Sequence, residues 1–403
     1  MSSLFDKFDS LATRHAEIVN RLGADPFGIE VEKVLSATEV RIDGQTKLHL
    51  GSNNYLGLTF EPSLVESARE ATHEQGTGTT GSRAANGGLS SHRMLEREIT
   101  DFFNRRDAIL FTTGYQGNLG FIATVAGKED VILIDADSHA SIYDACKLGD
   151  ATVLRFKHND PRDLDRRLRR LDPEASKLVV TEGIFSMLGD RAPLAEITEV
   201  AKTHGAAIAL DEAHSFGVLG ARGRGLAEEA GVEKDIDFIL GTFSKSAGAI
   251  GGFCTSDHEK FDVLRIVARA YLFTASLPPS VVASVSAALR IMRESPEPML
   301  RLRNNFEFLY ESLSASGLQL GPEASPIIGI RMPDLESGLA AWKALLDAGV
   351  YVNLAAFPAV PGGGCLLRAS VNAAHTREQL EFAVETFEAC LPSVQPKAKT
   401  ASG

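Results

Sequence analysis

Between Ala108 and Phe253 the chain repeats one unit, a short run of apolar residues followed by a stretch with helical spacing. The runs are Ala108–Phe111, Val131–Ile134, Val153–Phe156, Leu178–Thr181, Ala206–Leu210 and Phe238–Leu240. A strand covered on both faces reads as a continuous apolar run, and parallel neighbours need a crossover long enough to hold a helix. The rhythm therefore predicts an α/β fold with a mostly parallel sheet covered by helices. Leu64–Glu74 is helical in pattern, and helical spacing returns in Val281–Glu294 and Pro298–Ser316, leading to a final α+β portion that ends near Leu391. With 403 residues and 44% apolar content, one large and one smaller domain are expected. We divide the chain into an N-terminal arm (1–50), a large α/β domain (51–290), a C-terminal α+β domain (291–391) and a tail (392–403). The arm has helical spacing from Asp6 to Glu39, broken at Asp25-Pro26, and the Ser/Pro/Lys/Ala-rich tail suits a disordered end.

Bulk properties remove several classes of function. No run of about 18 apolar residues is present, and the first residues lack a secretory layout, so a cytoplasmic protein is expected. A formal charge of −12 argues against nucleic-acid binding and would repel an acidic membrane surface, so an anionic substrate needs a local basic pocket. Leu4–Leu22 is modestly amphipathic, which core packing or a dimer contact explains better than a lipid surface; membrane association would be transient at most. Cys146, Cys254, Cys365 and Cys390 lie far apart and read as packing residues in a reducing compartment. No His-Glu-x-x-His pair occurs among the ten histidines, and no metal is expected. Gly76-Thr-Gly-Thr-Thr-Gly81 matches the dinucleotide fingerprint by letter, yet it follows a helical stretch instead of a strand.

Four segments carry chemistry, each placed where a predicted strand ends, which is where open α/β sheets hold ligands. In Ala206–His214 an apolar strand runs into Asp211, with His214 three residues on. A carboxylate there can keep a pyridinium nitrogen protonated, or cap a helix. In Gly241–Gly252, Lys245 sits among Thr242, Ser244 and several glycines. Small neighbours admit a flat cofactor, and a desolvated amine attacks an aldehyde more readily; a lysine in a surface turn gives the same letters. A Walker phosphate loop requires a different order of Gly and Lys. Phe111–Asn118 brings Gly114 and Tyr115 to a helix start, a ready anion site. In Asp135–Ser141, His139 can stack on a planar ring.

In this order, Gly114-Tyr115, His139, Asp211-Glu-Ala-His214 and Ser244-Lys245 resemble the α-oxoamine synthases, which are fold-type-I enzymes dependent on pyridoxal 5'-phosphate. The resemblance runs from about Asp6 to Leu391. It implies that Lys245 carries the cofactor as a Schiff base and removes the α-proton, that Asp211 meets the ring nitrogen and His214 the phenolic oxygen, and that His139 stacks over the ring. Gly114, Tyr115, Thr242 and Ser244 would hold the phosphate, with Thr274 arriving from a second subunit. Arg368 would take the amino-acid carboxylate, with Asn54 and Ser82 also on the substrate side; taken alone, Arg368 could as well form a surface ion pair.

Within the family, Asp25–Ile29, Gly241–Ser246 and Phe273–Pro279 look most like the soluble bacterial enzymes that condense L-serine with a long-chain acyl-CoA such as palmitoyl-CoA, giving 3-ketodihydrosphingosine. Their implied assembly is a homodimer with shared active sites. Asn53-Asn54-Tyr55 is closer to the ligase that makes 2-amino-3-ketobutyrate, and Val352–Pro358 lacks an arginine that the serine enzymes carry, so glycine or alanine stays open as the amino acid. A non-catalytic partner subunit of the same fold is the third reading, against which Lys245 speaks.

Overall fold

The computed structural model describes residues 3–356, 360 and 364–391, so the tail and Phe357-Pro358 lie outside the described residues. The central sheet has seven strands in the order Asp107–Phe111, Gly252–Ser256, Phe238–Thr242, Ala207–Asp211, Lys177–Glu182, Val131–Asp135, Thr152–Phe156. The last five run parallel. Gly252–Ser256 is antiparallel to both its neighbours. All six expected runs are strands, and the seventh had no apolar run to announce it: Gly252-Phe-Cys-Thr-Ser256 mixes a glycine and two hydroxyls, all buried.

Alternation along the strands sorts side chains to two cores. Leu133, Val179, Ile208 and Leu210 face one, and Ile132, Ile134, Val180 and Ala209 the other. Helices therefore cover both faces, as a mostly parallel sheet requires. Phe253 packs on Phe103 and Phe243 with ring centres 5.2 and 5.4 Å apart. A Cβ on Gly241 would meet the Phe253 ring at 2.5 Å, so this aromatic floor reaches the backbone just before the lysine loop.

Three further strands, Ile327–Met332, Cys365–Ser370 and Asn353–Ala355, form an antiparallel sheet, with helices Glu297–Ala315, Leu335–Asp347 and Arg377–Cys390 in the same part of the chain. We propose a domain division at about residue 290, which leaves all seven strands of the central sheet on one side.

The first fifty residues differ from the expected helical arm. One helix, Asp9–Leu22, stops at Gly23 in the left-handed conformation. Strands Lys33–Val34, Glu39–Ile42 and Gln45–His49 follow, the last two joined by Asp43-Gly44, both at positive φ. Asp-Gly between two short strands is a strong hairpin signal that helical spacing had masked. His49 and Leu48 pair in parallel with Tyr351 and Val350. Core packing does not explain the amphipathic start: Leu4, Phe5 and Leu11 are exposed, and Ile18 is the buried residue of the helix. Gly76 is the C-cap of helix Pro62–Gln75 at φ 80°, a helix stop instead of a dinucleotide turn. Cys146, Cys254 and Cys365 are buried and Cys390 half-buried, all with free thiols. Among the described residues no helix is long and apolar enough to cross a membrane, and no group of potential metal ligands is found.

Candidate active site

The carboxyl ends of the central strands open into a cavity of about 240 Å³. Gly114, Tyr115, His139, Asp211, His214, Thr242, Ser244 and Lys245, read from four separate segments, all line it. Lys245 follows strand Phe238–Thr242 by three residues and is half-buried. Burial pushes its amine down to about 8, against the pull of Asp211 and Glu182.

Asp211 ends its strand and is buried. Its two oxygens accept from Asn118 Nδ2 at 2.8 Å and from the Ala213 amide at 2.9 Å. Asn118 also donates to Ser141 Oγ at 2.8 Å, and that hydroxyl lies 2.7 Å from His139 Nδ1. Because Ser141 Oγ accepts from Asn118 and the Ser141 amide donates to the same Nδ1, we assign Nδ1 as the acceptor and place the His139 proton on Nε2. The imidazole is thus tied to the carboxylate through two side chains.

His214 is fully enclosed, and burial together with Lys245 and Arg368 holds it well below the usual imidazole range. Its Nδ1 lies 2.7 Å from the Tyr55 hydroxyl, whose own pKa burial pushes up to about 12. The single Tyr55 hydroxyl proton has two acceptors in reach, His214 Nδ1 and, at 3.3 Å, Asn53 Oδ1; we assign it to the shorter contact, which leaves the proton of the neutral imidazole on Nε2.

The anion end is built on close backbone approach. Thr113 caps helix Gly114–Val125 by accepting from the Gln116 amide at 3.0 Å. A Cβ on Gly114 would come within 2.8 Å of Thr242 Cβ, so only glycine lets the helix start reach the threonine. Thr242 donates to Gly251 O at 2.9 Å, and the Ser244 hydroxyl lies 2.8 Å from Thr242 Oγ1. Tyr115 is half-open to solvent and donates to Asp144.

Arg368 comes from the other sheet, in strand Cys365–Ser370, and it is buried, which removes the surface-ion-pair reading. Nε donates to Ser186 O at 2.6 Å, one terminal nitrogen to Ser370 Oγ at 2.9 Å and the other to Asn53 Oδ1 at 3.0 Å. Its partners among the described residues are thus neutral oxygens. A guanidinium has five N–H groups. With three engaged, one remains on each terminal nitrogen for a further acceptor such as a carboxylate.

Arg368 lies outside the lining of the cavity, and three further residues stand elsewhere. Asn54 turns to its own loop, donating to Thr59 Oγ1 at 2.8 Å, while Asn53 is the one at Arg368. Ser82 belongs to a loop whose backbone is clipped to Ser276, with Gly81 O accepting from the Ser276 amide at 3.0 Å. Thr274 lies outside the cavity lining and accepts from Gln116 Nε2 at 3.2 Å.

Sequence reasoning passed over Tyr55, Asn118, Ser141 and Glu182. Glu182 is buried, donates no charge to any salt bridge among the described residues, and accepts from the His139 amide. Burial and the nearby Asp211 carboxylate hold its carboxyl well above the usual range. It ends an apolar strand, as Asp211 does, so the same signal would have found it.

The aminotransferase class I and II family model matches residues 45–387. A serine palmitoyltransferase from Caulobacter vibrioides (strain NA1000 / CB15N) is 55% identical over 386 residues, 95% of each chain. One from Sphingomonas paucimobilis is 47% identical over 388 residues, covering 96% of this chain and 92% of that one. A solved structure of an alanine variant of the serine palmitoyltransferase from S. paucimobilis, with a bound PLP–myriocin aldimine, superposes with a TM-score of 0.96 at 46% identity, covering 98% of this chain and 99% of that one. The chain belongs to the aminotransferase class I and II family, in its α-oxoamine synthase branch.

Proposed function

We propose that this protein is a pyridoxal-phosphate-dependent acyltransferase that condenses L-serine with a long-chain acyl-CoA, releasing coenzyme A and carbon dioxide and giving 3-ketodihydrosphingosine. The observation that carries the reading is the cavity with a desolvated lysine beside a buried strand-end carboxylate; Arg368, buried outside the lining of that cavity, keeps two donors for a carboxylate. The likeness to serine palmitoyltransferases over nearly the whole chain supports the choice of amino acid and acyl donor.

The residues present suit the cofactor. Asp211 is a buried carboxylate whose charge a protonated ring nitrogen would balance. The glycine at 114 opens a cradle that a Cβ would fill, beside the Ser244 hydroxyl as a phosphate donor and the Thr242 hydroxyl, which would release Gly251 O to donate as well. When bound, pyridoxal phosphate supplies the electron sink that lets a bond at the amino acid's α-carbon break.

In this reading Lys245 Nζ, unprotonated in a large fraction of molecules near its pKa of about 8, is the base that takes the α-proton. His214, held neutral with its proton assigned to Nε2, would donate a hydrogen bond from that nitrogen to the cofactor's phenolic oxygen. His139 would stack on the cofactor's ring, and Arg368 would hold and orient the substrate carboxylate. The assembly we propose is a cytoplasmic homodimer in which Thr274 serves the partner's cleft; its position outside its own cavity and the exposure of neighbouring Phe273 support this.

The visible spectrum of the purified protein, titrated with serine, glycine, alanine and threonine and followed by palmitoyl-CoA with thiol detection, tests the assignment. Serine-specific change with thiol release, both lost in Lys245→Ala, is expected. A response confined to glycine or alanine would move the protein to a sister synthase.

A further inference from the structure

The loop between strand Lys177–Glu182 and helix Leu194–Thr203 lies against the smaller sheet, and one of its atoms, the Ser186 carbonyl, accepts from Arg368 Nε. It is a tight hairpin: Ile184 bridges to Arg191, the Phe185 amide donates to Asp190 O at 2.8 Å, and the Gly189 amide to Phe185 O at 3.1 Å. Its tip sits on strand Ile327–Met332. A Cβ on Gly189 would lie 2.1 Å from Ile327 O, and one on Gly329 2.7 Å from Met187 O. Gly329 is the residue opposite Arg368 in the ladder, so the loop lies over the backbone that carries the arginine.

The other side of the hairpin is held by His158. Its Nδ1 is 2.8 Å from Asp135 Oδ1 and its Nε2 2.6 Å from Asp190 Oδ2, with Phe185 edge-on at 4.5 Å. A carboxylate oxygen only accepts, so both ring nitrogens donate and the ring is a cation. Burial alone would push its pKa down; the hydrogen bonds to Asp135 and Asp190 outweigh that and raise it to about 10. Asp135 ends a central strand four residues before His139, so the clamp ties the cofactor wall to the loop at Arg368.

We propose that His158 is a positioning residue for the amino-acid substrate: by bridging Asp135 and Asp190 it fixes the Ile184–Arg191 hairpin so that the Ser186 carbonyl holds Arg368 at the angle a substrate carboxylate requires. The inference rests on the reading of Arg368 as the carboxylate contact.

The test uses the pyridoxal-phosphate-loaded enzyme, the variants His158→Leu and Asp190→Asn, and two amines, L-serine and serinol. Serinol keeps the amine and hydroxymethyl group but has no carboxylate, so its binding is indifferent to the angle of Arg368. Spectral titration gives each affinity, and thiol release gives KM and kcat for serine. A sub-ångström to 1 Å displacement of the arginine should weaken serine binding roughly tenfold to a hundredfold, mainly in KM, with serinol affinity unchanged. Equal losses for both amines, or lower thermal stability with serine affinity intact, would overturn the proposal. If the unaltered enzyme gives no spectral response to L-serine, the reading of the site falls and the proposal with it, an outcome visible before any variant is made. Should His158→Leu fail to fold, Asp190→Asn keeps the shape of the loop and decides the matter alone.

Discussion

Replacing Arg368 by methionine separates binding from stability, because the two respond to different parts of its environment. The guanidinium is buried, and three of its five N–H groups engage Ser186 O, Ser370 Oγ and Asn53 Oδ1. The two left over are worth about 1.5–3 kcal/mol each as charge-assisted bonds to a carboxylate. Together they give about 3–6 kcal/mol, which at about 1.4 kcal/mol per decade weakens serine roughly a hundredfold to ten-thousandfold. For stability the terms oppose each other. Three acceptors lose a donor, at about 1–3 kcal/mol for any left wholly unmet, although the Ser370 hydroxyl and the Asn53 amide can turn to new partners. Against that, removing a buried cation whose partners are neutral relieves a desolvation cost of several kcal/mol. The melting temperature should therefore move by only a few degrees while the serine-induced spectral change shifts to far higher concentration. Arg368→Lys keeps the charge without the planar pair and should fall between. A folded Arg368→Met protein that binds serine within about fivefold of the unaltered enzyme, about 1 kcal/mol, would refute the reasoning.

Other expectations follow from single groups. Because the Lys245 amine is pushed down to about 8, capture of added pyridoxal phosphate by cofactor-free protein should quicken as pH rises from 6 to 9 with a midpoint near 8; stopped-flow absorbance checks this, and a midpoint near 10 would contradict it. Gly114→Ala forces a methyl to within 2.8 Å of Thr242 Cβ, an overpacking that should cost about 1–3 kcal/mol and weaken cofactor binding, read from melts with and without pyridoxal phosphate. The His158 imidazole has its pKa raised from 6.5 to about 10 by folding, so its stabilisation is fully present below about 6.5 and is lost as pH rises through about 10. Denaturant unfolding of unaltered and His158→Leu proteins should accordingly diverge most at pH 6 and converge towards pH 10.

What the sequence revealed divides along the line between local and distant causes. A strand buried on both faces must be apolar along its length, so Val131–Asp135 and Ala207–Asp211 announced themselves, and strand-end residues such as Asp211 and Lys245 came with them. Asn118 and Tyr55 stayed hidden because their roles lie across the fold: Asn118 meets Asp211 93 residues away, and Tyr55 meets His214 at a separation of 159. A polar Asn inside the apolar helix Gly114–Val125 was a usable local hint, whereas nothing near Tyr55 points to a histidine. Asn54 rather than Asn53 was chosen since two adjacent asparagines look alike until the backbone decides which faces Arg368. Thr274, expected from a second subunit, and Ser82, expected on the substrate side, both lie outside the cavity lining.

The pairing of Leu48 and His49 with Val350 and Tyr351 also sets an order of events in the cell. The Gly51 carbonyl accepts from Asn353 Nδ2 at a separation of 302 residues. At about 5–20 residues per second, a ribosome needs roughly 15–60 s to deliver that partner after Gly51 has been added. Throughout that interval Val40, Ile42 and Leu48, all buried in the finished protein, belong to a small antiparallel sheet of Lys33–Val34, Glu39–Ile42 and Gln45–His49 that still lacks its fourth strand. The Gln45–His49 edge of the nascent chain thus stays unpaired from early in synthesis until nearly the end, an open strand edge of the kind that other chains can pair with.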